Sequence, residues 1–312
     1  MRGAGRADGR SLQYALVVVM ALSFSTASIF VLASGLPGPS AATWRLLVSS
    51  AILFVLALRR PRGPKGRWRD PGLVAASLAS GALLAIHFDM WMSSLYLLPV
   101  GVSVSIVDSY PAFIWAFGTI VYGERYGPFE LVGSIITVAA VALLSTLGPG
   151  TGGLPPGWPI GVALALGGMV AMIGYVLLGK WVRRRWSSVE YAAHAYGFGA
   201  CVSLAISLAT GTWAVPSSGR SWLSVLALAL VPMIGGHTLM NFLLGRSKVL
   251  QSTIAMAFEP AGASVLALPS SGANAKALPV GACGCRHCRD GARDLLRRLI
   301  APPGVALHIC LV

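Results

Sequence analysis

Charge is scarce in this chain. Asp, Glu, Lys and Arg together make up 11% of the 312 residues, and only 10 residues are acidic. With 55% hydrophobic residues and a mean hydropathy of +0.73, so few polar side chains exclude a soluble globule, which could not cover its surface with them. Cysteine is sparse outside the last 30 residues: Cys201 lies alone in an apolar run, so there is no disulfide framework. No Gly-x-x-x-x-Gly-Lys-Ser loop is present to cradle a nucleotide. A His-Glu-x-x-His motif or an interfacial cluster of carboxylates is missing too. That counts against the competing class of membrane-embedded enzymes acting on lipid-linked substrates.

What the chain has instead is apolar runs of about 17 to 25 residues, long enough to cross a hydrocarbon core of about 30 Å. They fall near 12–34, 41–58, 72–96, 100–121, 128–147, 159–179, 188–210, 222–244 and 251–268. All nine are expected to be helices, because lipid offers backbone groups no partners. The first run is too long for a cleaved signal peptide, and further spans follow it.

The formal charge of +14 is not spread as a nucleic-acid footprint would be. Its residues cluster between the runs: Arg2, Arg6 and Arg10; Arg59 to Arg69; Lys180 to Arg185; Arg125, Arg246 and Lys248. All fall on one side if the N-terminus is cytoplasmic, and the opposite loops then hold only Arg220. This asymmetry predicts a multi-pass protein of the cell membrane with a cytoplasmic N-terminus.

An internal repeat organises the spans. His87-x-x-Met90 followed by Pro111 returns as His237-x-x-Met240 followed by Pro260, about 150 positions later. Duplicated strings of spans, inverted when each half has an odd number, are typical of secondary transporters, whose sites form where the halves meet.

Several fragments carry a family resemblance. Trp44-Arg45-Leu46-Leu47, Leu95-Tyr96-Leu97-Leu98-Pro99-Val100-Gly101, and Pro111 followed by Gly123-Glu124-Arg125 and Gly133 resemble the EamA domain of the drug/metabolite transporter superfamily. Phe258-Glu259-Pro260 is similar to part of that domain's second copy. The resemblance implies an all-α, polytopic fold of ten helices in two inverted five-helix repeats, acting as a carrier of small metabolites without enzymatic activity. The repeats would span residues 12–147 and 159–268.

Residues 269–312 depart from that pattern. They form an irregular, basic, Cys-containing tail with no span of adequate length, as though the tenth helix were lost. Ser270-Ser271-Gly272-Ala273-Asn274-Ala275 is what codons for Phe-Leu-Trp-Gly-Glu-Arg give when read one nucleotide late. The restored Gly-Glu-Arg would stand 150 positions after Gly123-Glu124-Arg125. On this hypothesis the tail is translated out of frame, and the cluster Cys283, Cys285, His287 and Cys288 is accidental rather than a metal site. No metal or cofactor is expected. A nucleotide sequence without a compensating frame that encodes a tenth apolar segment would remove the hypothesis.

Functional weight falls on polar residues inside spans, where an ionisable group at the bilayer centre costs about 2.5–3.5 kcal/mol on insertion scales. These are Arg45, His87, Asp89, Asp108, His194, His237 and Glu259. Asp108 and Ser105 share a helical face, and Pro111 frees a carbonyl or permits a bend. His87, Met90, Trp91 and Ser94 form one stripe, and His237, Met240 and Asn241 another. The expected substrate-binding set is therefore His87, Trp91, Ser105, Asp108, His237 and Asn241, with Asp108, Glu259 and Arg45 coupling or gating. Asp89, off the stripe, is expected to pair with Arg45 or to meet interfacial water. Gly167-Gly168 and Gly235-Gly236 are expected at close helix contacts.

The function these residues predict is passage of a small organic solute, amino-acid-like or drug-like, through the bilayer by alternating access. Proton or ion coupling and homodimerisation stay open, as does a non-transporting scaffold.

Overall fold

The computed structural model describes residues 4–59, 70–128 and 156–259, with isolated helical positions at 131–132, 135–136, 139 and 262. Every regular element among them is helical. In chain order these are α1 (Ala4–Ser25), α2 (Ala27–Ser34), α3 (Gly38–Leu58), α4 (Pro71–Ser94), α5 (Val100–Val107), α6 (Pro111–Tyr122), α7 (Trp158–Val182), α8 (Ser188–Ala209) and α9 (Gly219–Leu228). A π-helical stretch, Ala229–Thr238, carries α9 into α10 (Leu239–Leu244); α11 (Val249–Thr253) and a 3₁₀ turn (Ile254–Phe258) follow. Among the described residues, seven stretches are long and apolar enough to cross a membrane: Tyr14–Ser34, Gly38–Leu58, Pro71–Ser94, Val100–Tyr122, Trp158–Val182, Ser188–Ala209 and Gly219–Leu244. The expected span at 128–147 lies largely outside the described residues, and that at 251–268 is described only over 251–259 and at 262; Pro260 and the tail with its cysteine cluster lie outside them.

Local chemistry sets the helix ends. Asp70 caps α4 by accepting from the Gly72 and Leu73 amides at 3.0 and 3.2 Å, and Pro71 follows at a position whose amide needs no partner. Ser187 and Glu190 form a capping box at the start of α8. Gly123 closes α6 at φ +63°, a left-handed conformation that costs glycine nothing.

Three of the seven spans are interrupted. The first breaks at Thr26, whose Oγ1 donates to the Ser23 carbonyl at 2.7 Å while Ser25 donates to Ala21 at 2.8 Å; such back-bonding bends helices. The fourth breaks at Asp108–Tyr110, just before Pro111, which has no amide to give the preceding turn. The last contains Pro232 inside its π-helical stretch, and the wide turn absorbs the bonds that proline cannot make.

Helices α3, α4, α7 and α8 form the centre: α4 lies along both α7 and α8, and α3 lies along α8. In lipid, association comes from close packing and interhelical hydrogen bonds rather than from hydrophobic transfer. Gly81 of α4 meets the Ala195 backbone of α8 so closely that a Cβ would collide with the Ala195 carbonyl. A Cβ at Gly168 would stand 3.2 Å from the His87 carbonyl, and one at Gly236 2.5 Å from the Phe24 ring. Ser50 donates to the Ala193 carbonyl at 2.9 Å and Ser49 to Ala229 at 3.0 Å, tying α3 to its neighbours.

Candidate functional site

The break between α5 and α6 fixes one wall of a buried crevice. Asp108 terminates α5 at φ −80°, ψ 5°: its amide still bonds to the Val104 carbonyl at 2.8 Å, and the chain turns away only after it. Opposite, from the first half of α3, Arg45 is 0% exposed, and its guanidinium carbon lies 4.1 Å from the centre of the Phe88 ring. Among the described residues none of its three guanidinium nitrogens finds a hydrogen-bond acceptor. Glu259, immediately after the 3₁₀ turn, is buried within electrostatic reach of Arg45 and close enough to the Asp108 carboxyl to interact with it. Each carboxyl keeps one oxygen without a hydrogen-bond partner.

Histidines complete the lining. His87 Nδ1 sits 2.9 Å from the Gly168 carbonyl, an approach that glycine at 168 makes possible. The His87 and His237 rings are 6.4 Å apart. His237 is packed edge-on against Phe24 at 5.0 Å and Phe88 at 5.1 Å, with its Nδ1 unbonded. Trp91 stacks parallel to His87 at 6.1 Å, and its indole N–H has no acceptor among the described residues. The enclosed space is about 10 Å³, room for about one water.

Of the residues expected from the sequence, the structure brings together Arg45, His87, Trp91, Asp108, His237 and Glu259 around this crevice. Others lie elsewhere. Ser105 is buried, with no hydrogen-bond partner among the described residues, and does not line the space although Asp108, three residues on, does. Asn241 is held by Tyr175 and Tyr196, donating to their hydroxyls at 2.7 and 3.2 Å. The expected pairing of Asp89 with Arg45 is not found. Asp89 accepts from the Ser203 hydroxyl of α8 and is 5% exposed, since the neighbouring Phe88 takes the face of α4 that meets Arg45. His194 accompanies Phe54 and Trp186 near the start of α8, and Met90 lies against Gly167. Phe24, Ala27, Val107 and Met256 line the crevice unforeseen. The one signal for the first two is the cluster Ser23, Ser25, Thr26 and Ser28 inside an apolar run.

Chemically, a buried guanidinium presents a planar fork suited to a carboxylate, and two carboxyl groups nearby suit an ammonium. Among the described residues no group of three His, Cys, Asp or Glu is placed to hold a metal ion.

Comparison with known proteins agrees with the helical architecture. One solved crystal structure matches 93% of this chain and 99% of its own, with a TM-score of 0.64 at 20% sequence identity, a likeness of fold. No curated protein matches the sequence. The model of the EamA-like transporter family matches residues 11–146 and again residues 159–274. That family comprises membrane transporters of small solutes. With most of its length covered by those two matches, the chain belongs to the EamA-like transporter family.

Proposed function

We propose that this protein is a secondary carrier that moves a small, amino-acid-like solute across the cell membrane by alternating access. Its N-terminus is cytoplasmic, and residues 12–147 and 159–268 act as two inverted repeats that rock about a central site. The observation that carries this reading is Arg45, a fully buried guanidinium with no hydrogen-bond acceptor among the described residues, sharing a narrow crevice with Asp108 and Glu259. A zwitterion satisfies both sides at once: its carboxylate takes the Arg45 fork and its ammonium the free carboxyl oxygens. Ionisable groups kept at membrane depth mark substrate and ion pathways.

The size of the crevice supports alternating access. With room for about one water it is occluded, so helices must separate before a solute enters. The interrupted spans supply places to bend: Thr26, the Asp108–Tyr110 break and the π-helical stretch around Pro232 border or enter the site. Asp108 and Glu259 form an adjacent pair able to carry a proton with the solute.

Uptake and counterflow in proteoliposomes, over a panel of amino acids, sugars and cationic drugs, test this. The expected result is saturable counterflow of one or more solutes bearing both a carboxylate and an amine. Counterflow of sugars or cationic drugs alone would overturn the zwitterion assignment, and no counterflow of any solute the carrier itself.

A further inference from the structure

A second polar site lies away from the central crevice. Where the end of α6, the end of α7 and the loop between α10 and α11 meet, a cleft of about 500 Å³ opens, and its charged lining is Lys180, Arg184, Arg246, Lys248 and Glu124. Glu124 is already engaged: it pairs with Lys180 at 3.3 Å and accepts from the Tyr126 hydroxyl at 2.5 Å and the Val249 amide at 2.9 Å. Four cations against one anion leave an excess of three positive charges in one open cleft.

Two of these cations are held in a telling way. Arg184 stacks over the Tyr122 ring at 4.9 Å and Arg246 over Phe242 at 3.7 Å. Neither makes an ion pair among the described residues. Stacking uses the flat face of a guanidinium and leaves its N–H edge free to fork onto oxygen. Just behind them burial, and then the neighbouring Arg246, pull the Arg183 guanidinium down to about 10, with Tyr191 and Glu190 offsetting part of that pull, so Arg246 adds to a net positive field. Packing like charges against one another is unfavourable unless an anion joins them.

We propose that this cleft binds a phosphate group, held by Arg184 and Arg246 with Lys180 and Lys248 as flanking charges. Phosphate offers several acceptor oxygens and more than one negative charge, matching two forks and an excess of three cations. The group is either the headgroup of an anionic lipid, since basic pockets between spanning helices take such headgroups, or free phosphate.

The test uses the full chain purified in detergent, its Arg184→Gln/Arg246→Gln double variant, and Arg185→Gln as control. Arg185 is exposed, pairs with Asp70 at 3.1 Å and lies outside the cleft. Native mass spectrometry measures retention of added phosphatidylglycerol against phosphatidylcholine, and thermal unfolding measures the response to inorganic phosphate. The expected result is binding by the parent and the control, weakened about tenfold for each arginine removed. Retention of phosphatidylglycerol alone assigns a lipid headgroup; a phosphate-dependent rise in Tm alone assigns the free anion. Equal responses in parent and double variant, or none in either arm, overturn the site. If the double variant does not elute as a monodisperse species, the exposed Arg246→Gln single variant gives the same reading.

Discussion

Arg45 and Phe88 meet across the α3–α4 contact, guanidinium carbon to ring centre 4.1 Å apart, in a place closed to solvent. A structural arginine and a solute-binding arginine predict opposite results there. Among the described residues Arg45 makes no hydrogen bond or ion pair, only a longer-range attraction to Glu259, so an apolar side chain of similar length trades that attraction against relief of the guanidinium's own desolvation cost. Arg45→Met is therefore expected to keep or raise Tm while abolishing counterflow of carboxylate-bearing solutes. Arg45→Lys, which keeps charge but loses the fork, should raise KM by about tenfold. A large fall in Tm in the Met variant would make Arg45 a packing residue.

Asp108 and Glu259 carry the second prediction. In Asp108→Asn and Glu259→Gln, transport driven by an imposed pH gradient should fall to the rate without a gradient, while solute counterflow persists at a reduced rate. Gradient-driven transport unchanged in both variants would remove both residues from coupling.

The third concerns packing. Gly81→Ala forces a Cβ into the Ala195 carbonyl across two backbones that cannot give way, an overpacking that costs about 1–3 kcal/mol. Gly101→Ala meets nothing within 4 Å and should leave stability unchanged or slightly raised. Thermal unfolding in detergent checks the pair, and equal Tm values for the two variants would contradict the close α4–α8 contact.

The fourth isolates Asp89. Asp89→Ala and Ser203→Ala each leave a buried partner without its bond, at a cost of about 1–3 kcal/mol. In the double variant the losses should be strongly non-additive. Counterflow kinetics should be unaffected in Ser203→Ala, because neither residue lines the crevice; a raised KM would place this pair in the solute path instead.

Orientation yields the fifth. With the native cysteines replaced, a cysteine at Ser217 should react with an impermeant maleimide from outside intact cells, and one at Arg246 only after the membrane is opened. The reverse pattern would invert the proposed topology.

How much of this was legible in the sequence depends on whether the cause is local. Pro111 announced the break beside Asp108, because a missing amide has a local consequence that no tertiary contact can hide. Arg45, His87 and Glu259 were legible because charge inside an apolar run needs a reason. Asn241 still shares with His237 the approach to Tyr175, but it bonds to the Tyr175 and Tyr196 hydroxyls and does not line the crevice; those partners stand in distant helices that the local sequence does not show. Ser105 lies outside the crevice although Asp108, three residues on, lines it. Phe24 and Met256 carry no polar mark, and apolar lining of a site is indistinguishable in sequence from ordinary helix packing.

The one-water crevice also bears on what the protein must refuse. A bilayer holds its voltage only if every carrier in it blocks small ions between cycles. Here Phe24 and Trp91 line the space beside the charged groups, and Phe88 packs against Trp91 and His237. A hydrated sodium or potassium ion would have to shed nearly its whole water shell to enter a space with room for about one water.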